Sequence, residues 1–187
     1  MQSQTQTKMT GRFSDDMAYL KETLCVDKNF DMVYRVIHIG GKEAGFYFID
    51  GFCKDELMEK LLQYFMELTA QEMAENVHEM LKKHMPYVEV DVNDTWEEII
   101  HNLMSGVLVL LIEGYEKAIL IDSRTYPARS VSEPEKDKVL RGSKDGFVET
   151  VVFNTALIRR RIRSTDLCME MMNAGESSQT DIVLCYM

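Results

Sequence analysis

The chain has 187 residues, 45% of them hydrophobic, with only 3 prolines and 10 glycines; this composition excludes a disordered or low-complexity chain. Its formal net charge of −10 argues against a molecule that coats nucleic acid over its whole surface. No apolar run approaches the roughly 20 residues that a membrane-spanning helix needs, and the scattered positions of the four cysteines favour free thiols.

The N-terminal part of the chain predicts a leader, a helix and a β-hairpin. Residues 1–13 are predicted to be a disordered leader, and Ser14 is predicted to cap a helix that runs to about Leu24. Two β-rich runs within residues 30–49 flank Gly40-Gly41, which is typical of a tight turn between antiparallel strands. A sheet is therefore expected to start here.

Helical patterns dominate the stretch that follows. Leucine and phenylalanine residues at helical spacing predict a helix that begins at Asp55 and breaks near residues 68–71, and then a second helix that ends before Pro86. After a short extended segment, Asp94 or Thr95 is predicted to cap a third helix.

Two almost continuously apolar runs, residues 107–112 and 118–121, predict strands that are covered on both faces, as in the centre of an α/β sheet. The expected fold class is α/β, with a mixed sheet, several packed helices and a second small subdomain that only begins at the C-terminus. The expected division is a leader at 1–13, a first α/β subdomain at 14–122, a long polar connecting segment at 123–145, a basic helix at 146–163 and the start of a truncated second subdomain at 164–187.

Basic residues are concentrated in one part of the chain. Residues 117–163 hold 11 of the 21 Lys and Arg residues but only 6 of the 31 acidic residues. At 100° per residue, the predicted basic helix carries Arg159, Arg160 and Arg163 on one side. The apolar face of this helix is predicted to comprise Phe147, Val151, Thr155, Ile158 and Ile162.

No sequence motif supports catalysis. The chain contains no G-x-S-x-G, no Walker-type lysine loop and no G-x-G-x-x-G. Its histidines lack H-E-x-x-H spacing, because His84 lies off the helix face that His78 would share with a second zinc ligand. We therefore expect a protein that is not an enzyme and that has no metal site and no cofactor.

A glycine-rich loop precedes the predicted basic helix. The run Arg141-Gly142-Ser143-Lys144-Asp145-Gly146-Phe147 can present backbone N–H groups to a phosphate or a carboxylate at a helix N-terminus. Alternatively it is an ordinary tight loop, in which the glycines permit the turn and Asp145 caps the helix.

Three interpretations of the arginine-rich helix end stay open. In the first, it is a solvated helix end that the helix macrodipole favours and that pairs with the chain's own acidic segments. In the second, it is a docking surface for another protein or for anionic lipid headgroups. The third is nucleic-acid binding, which we do not expect because no aromatic residues are interleaved with the arginines for stacking on bases.

Several runs of residues resemble the signature of the GerA family of spore germination proteins, the A subunits of germinant receptors. The runs are residues 124–129, the Glu133-Pro134 pair, and residues 141–149, 154–163, 103–106 and 175–181. The hairpin and Gly51-Phe52-Cys53 resemble most the stage V sporulation protein AF branch. The resemblance extends from about Phe30 to the end of the chain.

The resemblance implies a soluble N-terminal region that faces the cytoplasmic side, the spore core, followed in the family by transmembrane helices in the spore inner membrane. It implies assembly and signalling with other receptor subunits in an oligomeric germinant receptor or ion-conducting complex. Because the chain stops at Met187, before the family's membrane part, we expect it to be a fragment, engineered or natural. The alternative function is a small-molecule or anion sensor that binds at residues 141–146.

The candidate interaction or structural residues follow from the same motif. Glu133 and Glu149 are the expected carboxylate partners of its arginines. The full set is Arg124, Tyr126, Pro127, Arg129, Glu133, Pro134, Arg141, Gly142, Asp145, Gly146, Phe147, Glu149, Asn154, Arg159, Arg160, Arg161 and Arg163.

Overall fold

The structure, a computed structural model, is described over residues 7–126 and 146–187. Within these ranges the expected α/β class is confirmed, with helices packed on a five-stranded sheet and a separate two-stranded sheet near the C-terminus. In chain order the elements are α1 (Phe13–Thr23), β1 (Met32–Ile39), β2 (Lys42–Ile49), α2 (Asp55–Glu67), α3 (Val77–His84), β3 (Val90–Asn93), α4 (Trp96–Met104), β4 (Leu108–Ile112), β5 (Ala118–Ile121), α5 (Val151–Arg161), β6 (Cys168–Ala174) and β7 (Thr180–Tyr186).

The five-stranded sheet has the strand order β1-β2-β4-β5-β3, and all of its pairings are antiparallel. Parallel pairs, which the expected mixed sheet would include, do not occur in it. For the pairs β1–β2 and β4–β5 the reason is the short connection, because the two residues between β1 and β2 and the short loop between β4 and β5 can join only antiparallel neighbours.

The core lies on both faces of this sheet. Strand β4 is buried along its whole length, as the apolar run predicted, and its alternate side chains enter two different clusters. Val109 and Leu111 pack on the side of α1 and α4, next to Trp96. Leu108 and Leu110 pack on the side of α2 and α3, next to residues such as Phe65 and Met80. The result is a three-layer arrangement with the sheet in the middle.

The chain before α1 is more ordered than expected. From residue 7 onwards the segment predicted to be a disordered leader is held in place, since Met9 N–H donates to Asp94 O at 2.9 Å and Met9 is buried. Helix α1 begins at Phe13, so Ser14 lies inside the helix and is not its cap. The buried carboxylate of Asp16 instead accepts the backbone N–H groups of Thr10 and Gly11, each at 2.9 Å.

The C-terminal part consists of α5 and the β6–β7 hairpin. Helix α5 spans Val151–Arg161 and is shorter at both ends than the basic helix expected over residues 146–163. Strands β6 and β7 follow it and pair in antiparallel register from Cys168↔Tyr186 to Ala174↔Thr180. None of the helices in residues 7–126 and 146–187 combines the length and the apolar character needed to cross a membrane.

Candidate functional site

Helix α5 packs against the body of the molecule through an unexpected face. Its buried residues are Thr155, Ala156 and Arg159, so only Thr155 belongs to the apolar face that the periodicity predicted. A Cβ built on Gly51 would lie only 3.2 Å from the Ala156 Cβ, which shows how closely the helix approaches the loop after β2. The predicted face is wrong because a charged residue, Arg159, occupies the inner side of the helix.

Arg159, expected on the exposed basic side, is completely buried, with 0% of its surface exposed. Its Nε donates to Asp31 Oδ2 at 2.7 Å and its Nη2 donates to Asp31 Oδ1 at 3.1 Å, which makes a bidentate ion pair. Nη2 also donates to Asn29 Oδ1 at 3.3 Å, and Nη1 donates to the carbonyl oxygens of Ser164 and Leu167 at 3.2 and 3.1 Å. All the donors of the guanidinium are therefore paired, as burial of a charge requires.

This Arg159 network, defined as Arg159 with Asn29 and Asp31, joins three parts of the chain. Asn29 Oδ1 also accepts the Met169 N–H at 2.8 Å, and Phe30 N–H donates to Met169 O at 3.1 Å. The network thus holds α5, the segment before β1 and the β6–β7 hairpin together through directional bonds. A single sequence does not reveal Asn29 and Asp31 as partners, because short polar residues before a strand are equally typical of a turn.

Arg160 has a different environment from its neighbour. Its guanidinium lies 4.3 Å from the centroid of the Tyr126 ring, a cation–π contact. Tyr126 is itself fixed, since its hydroxyl donates to Ser105 O at 2.7 Å and its ring meets Phe52 edge-on with centroids 5.2 Å apart. Two distant parts of the predicted motif, the segment at residues 124–126 and α5, are therefore in contact.

Arg124 lies beside this contact and pairs locally. Its Nε donates to Asp122 Oδ1 at 2.6 Å, its Nη2 forms an ion pair with Asp122 Oδ2, and its Nη1 donates to Ser105 Oγ at 3.4 Å. The hydrogen bonds from Arg124 hold the pKa of the Asp122 carboxyl below its usual value. Ser105, at the end of α4, is thus a shared support for Arg124 and Tyr126, a role that the sequence does not indicate.

The start of α5 is held by a side chain rather than by an N-cap. Asn154 Nδ2 donates to Val148 O and Asn154 Oδ1 accepts the Val148 N–H, both at 2.7 Å. Gly146, Phe147 and Glu149, just before the helix, are exposed. Among the described residues Glu149 makes no ion pair with the arginines of the motif, whereas Asp31 and Asp122 do.

A further exposed part of the motif lies at the end of α5 and just beyond it. We call Arg160, Arg161 and Arg163 the arginine surface; all three are exposed, and Arg163 Nε donates back to Arg160 O at 3.3 Å. The candidate residues Pro127, Arg129, Glu133, Pro134, Arg141, Gly142 and Asp145 lie outside the described residues. The anion-sensing loop expected at residues 141–146 is therefore undescribed except for Gly146, and it stays a prediction.

Over the described ranges no group of three or more His, Cys, Asp or Glu side chains is arranged to hold a metal ion. The arginine surface offers planar guanidinium groups, which suit carboxylates and phosphates. The Arg159 network beneath it holds the helix that carries this surface in one position.

Comparisons with known proteins agree with the resemblance. The family model described as Bacillus/Clostridium GerA spore germination protein matches residues 18–187. The stage V sporulation protein AF of Bacillus subtilis (strain 168) is 33% identical over 90% of this chain and 34% of its own length. Spore germination protein KA of the same organism is 28% identical over 86% of this chain and 30% of its own length. The chain thus spans about a third of these curated relatives.

A solved structure has the same fold. The crystal structure of the N-terminal domain of the A subunit of the Bacillus megaterium spore germinant receptor GerK3 superimposes with a TM-score of 0.71. The match covers 98% of this chain and 67% of that one at 22% identity. Because the family model spans nearly the whole chain, the chain belongs to the GerA family of spore germination proteins.

Proposed function

We propose that this chain is the N-terminal, spore-core-facing part of a membrane protein of the spore inner membrane that acts in germination. In this proposal it is a non-enzymatic module for assembly and signalling in an oligomeric germinant receptor or ion-conducting complex. Family membership supports the germination role. The names of several relatives, which are spore germination proteins, agree with it.

The observation that carries the proposal is the contrast between neighbouring arginines on α5. Arg159 is buried and fully paired, while the arginine surface is exposed at the end of the same helix and just beyond it. A rigid helix end with several guanidinium groups is suited to bind carboxylates of another subunit, because little side-chain and backbone freedom is lost on binding. Residues 1–116 of this chain hold 21 acidic and 10 basic residues, so subunits of similar composition would offer such carboxylates.

The test is charge reversal in the full-length protein. We expect the double variant Arg160→Glu with Arg161→Glu to lose co-purification with partner subunits and to impair germination. Its N-terminal part should stay folded, because both side chains are exposed and the contact of Arg160 with Tyr126 contributes only about 0.5–1 kcal/mol. The matched control is Lys82→Glu with Lys83→Glu, which reverses two exposed cations in the last turn of α3. This control changes the net charge by the same amount and should keep complex formation.

Two outcomes would contradict the proposal. Normal assembly and germination in the arginine variant would remove the role assigned to this surface. Equal loss in the lysine control would show that total charge, rather than the arginine surface, is responsible. Binding of the chain to phosphatidylserine vesicles that disappears in the arginine variant, with subunit assembly intact, would assign the surface to anionic lipid instead.

A further inference from the structure

The two edges of the five-stranded sheet differ in how they are protected. Strand β3, at one edge, has only four residues, two of which are Asp91 and Asn93. Strand β1, at the other edge, has eight residues without proline, glycine or a bulge, and it pairs with β2 in an unbroken register. Short length and polar residues protect an edge strand from pairing with another chain, whereas β1 is long and carries only two such residues, Arg35 and His38.

The turn at the end of β1 determines which backbone groups point outwards. Gly40 and Gly41 both have positive φ, +55° and +82°, as a two-residue type I′ turn requires. In such a hairpin the flanking pair, Ile39↔Lys42, exchanges both hydrogen bonds, and bonded pairs then alternate along the strand. Ile37 and Arg35 therefore bond to β2.

The residues that alternate with Arg35 and Ile37 along β1 direct their N–H and C=O groups to the free edge. These residues are Tyr34, Val36 and His38, and no hydrogen bond within the described part of the chain reaches their backbone groups. Their side chains share one face of the strand and are exposed, with 40% of Tyr34 and 44% of Val36 accessible. A second extended strand would thus find unused donors and acceptors beside a row of exposed side chains centred on Val36.

We propose that two copies of this chain pair antiparallel along β1, about a two-fold axis at Val36, and so form one continuous sheet across both molecules. Val36 then faces Val36 of the other copy, and Tyr34 faces His38 on either side of the axis. Each of these pairs exchanges both backbone hydrogen bonds. An identical strand satisfies this pattern because a two-fold contact requires a self-complementary surface.

Charge and strand length select this register over its two neighbours. One of the two nearest alternatives that keep the same faces together is centred on Ile37, and it shortens the paired segment because it places Tyr34 opposite Gly40 of the turn. The other is centred on Arg35, and it would place Arg35 directly opposite Arg35 of the other copy. Like charges directly opposite each other destabilise an antiparallel pair. Centring on Val36 places an apolar pair on the axis and Ile37 opposite Arg35, so the single fixed charge of β1 no longer meets itself.

The first test is the oligomeric state of the 187-residue chain, measured by sedimentation over a wide range of concentrations. We expect a monomer–dimer equilibrium that Val36→Pro abolishes, because proline removes an N–H that bonds only across the interface. Val36→Thr, which keeps the N–H and the branched shape, is the matched control and should keep the dimer. Should Val36→Pro fail to fold, Val36→Lys replaces it, since it places two cations on the axis and leaves the backbone groups unchanged.

The second test addresses the register. Tyr34→Glu and His38→Lys should each weaken the dimer, and the double variant should recover affinity because each glutamate then faces a lysine of the other copy. Two such cross-strand pairs should make the double variant roughly two- to thirty-fold tighter than the sum of the single effects predicts. In the register centred on Arg35 the two positions do not face each other, so no recovery would occur and the assignment would be overturned.

The effect of salt distinguishes a dimer formed through β1 from a contact made by the arginine surface. Two copies with a net charge of −10 each repel, so added salt should strengthen a dimer held by backbone hydrogen bonds and apolar contact. A contact made by the arginine surface should weaken under the same conditions. A chain that stays monomeric at every concentration, or a dimer that Val36→Pro leaves intact, would overturn this inference and leave the proposed function untouched.

Discussion

Arg159 and Asp31 form a buried bidentate ion pair across 128 positions of sequence, with N–O distances of 2.7 and 3.1 Å. Both residues are almost completely buried, at 0% and 2% exposed. A buried pair contributes little net stability compared with apolar packing, but removing one partner leaves the other charge uncompensated. The pair therefore acts as a geometric constraint that fixes how α5 and the β6–β7 hairpin sit on the sheet.

Removal of one partner should be strongly destabilising. We expect Arg159→Met to lower the free energy of unfolding by about 3–5 kcal/mol, because it leaves the Asp31 carboxylate buried and unpaired. Urea unfolding of the chain measures this. Arg160→Met, one residue along the helix and exposed, should cost less than about 1 kcal/mol.

The double variant Arg159→Met with Asp31→Leu distinguishes a paired charge from simple packing. Because neither charge then remains, its loss should be clearly smaller than the sum of the two single losses. Additive losses in this cycle would contradict the network as described.

The contact between Arg160 and Tyr126 should be measurable as a coupling. A double-mutant cycle with Arg160→Gln and Tyr126→Leu is expected to give an interaction free energy of about 0.5–1 kcal/mol. Thermal or urea unfolding of the four proteins supplies it. Arg163→Gln in place of Arg160→Gln is the control, and equal coupling there would argue against a specific ring contact.

The close approach of α5 to the loop after β2 predicts a large effect at Gly51. Gly51 has φ of +80°, and a Cβ there would lie 3.2 Å from the Ala156 Cβ. Gly51→Ala should therefore lose the roughly 1–2 kcal/mol of a left-handed non-glycine residue and an additional packing penalty.

Gly41→Ala is the matched control for this prediction. Its φ is +82°, but a Cβ there meets no atom within 4 Å. The difference between the two urea midpoints isolates the helix contact, and equal losses would show that α5 does not press on Gly51.

Asp50 predicts a pH dependence of stability. Burial, with smaller contributions from the nearby Asp55 and Asp31, raises the pKa of the Asp50 carboxyl above its usual 3.8. A raised folded-state pKa gives stability that is present below the unfolded-state value and is lost as the pH rises through the folded-state value. At neutral pH the partly buried Asp50 carboxylate is therefore charged, and this charge lowers the stability of the native chain.

Asp50→Asn removes this penalty while keeping a side-chain oxygen that accepts a hydrogen bond. The variant should unfold at a higher urea concentration than the native chain at pH 7, and the difference should shrink towards zero below pH about 4. A gain that is constant with pH would contradict the assignment.

Local structure was predictable where a few adjacent residues determine it. The turn at Gly40-Gly41, the break after α2 and the fully buried β4 all follow from neighbouring residues, because backbone conformation and hydrophobic periodicity are local properties. The prediction that Ser14 caps the first helix is wrong because α1 already begins at Phe13, whose N–H donates to the Glu113 carboxylate at 2.6 Å. That helix start depends on tertiary packing, which local patterns do not show.

The same distinction between local patterns and tertiary packing applies to the candidate site. The sequence by itself determined the family signature, the concentration of basic residues in residues 117–163 and the presence of an arginine-rich helix. Only the tertiary structure decided which arginine is buried, since Arg159 and Arg160 are chemically identical neighbours on one helix. Arg159 meets Asp31 and Asn29 because the chain folds back across 128 residues, and such a contact depends on the packing of the whole molecule rather than on any local pattern.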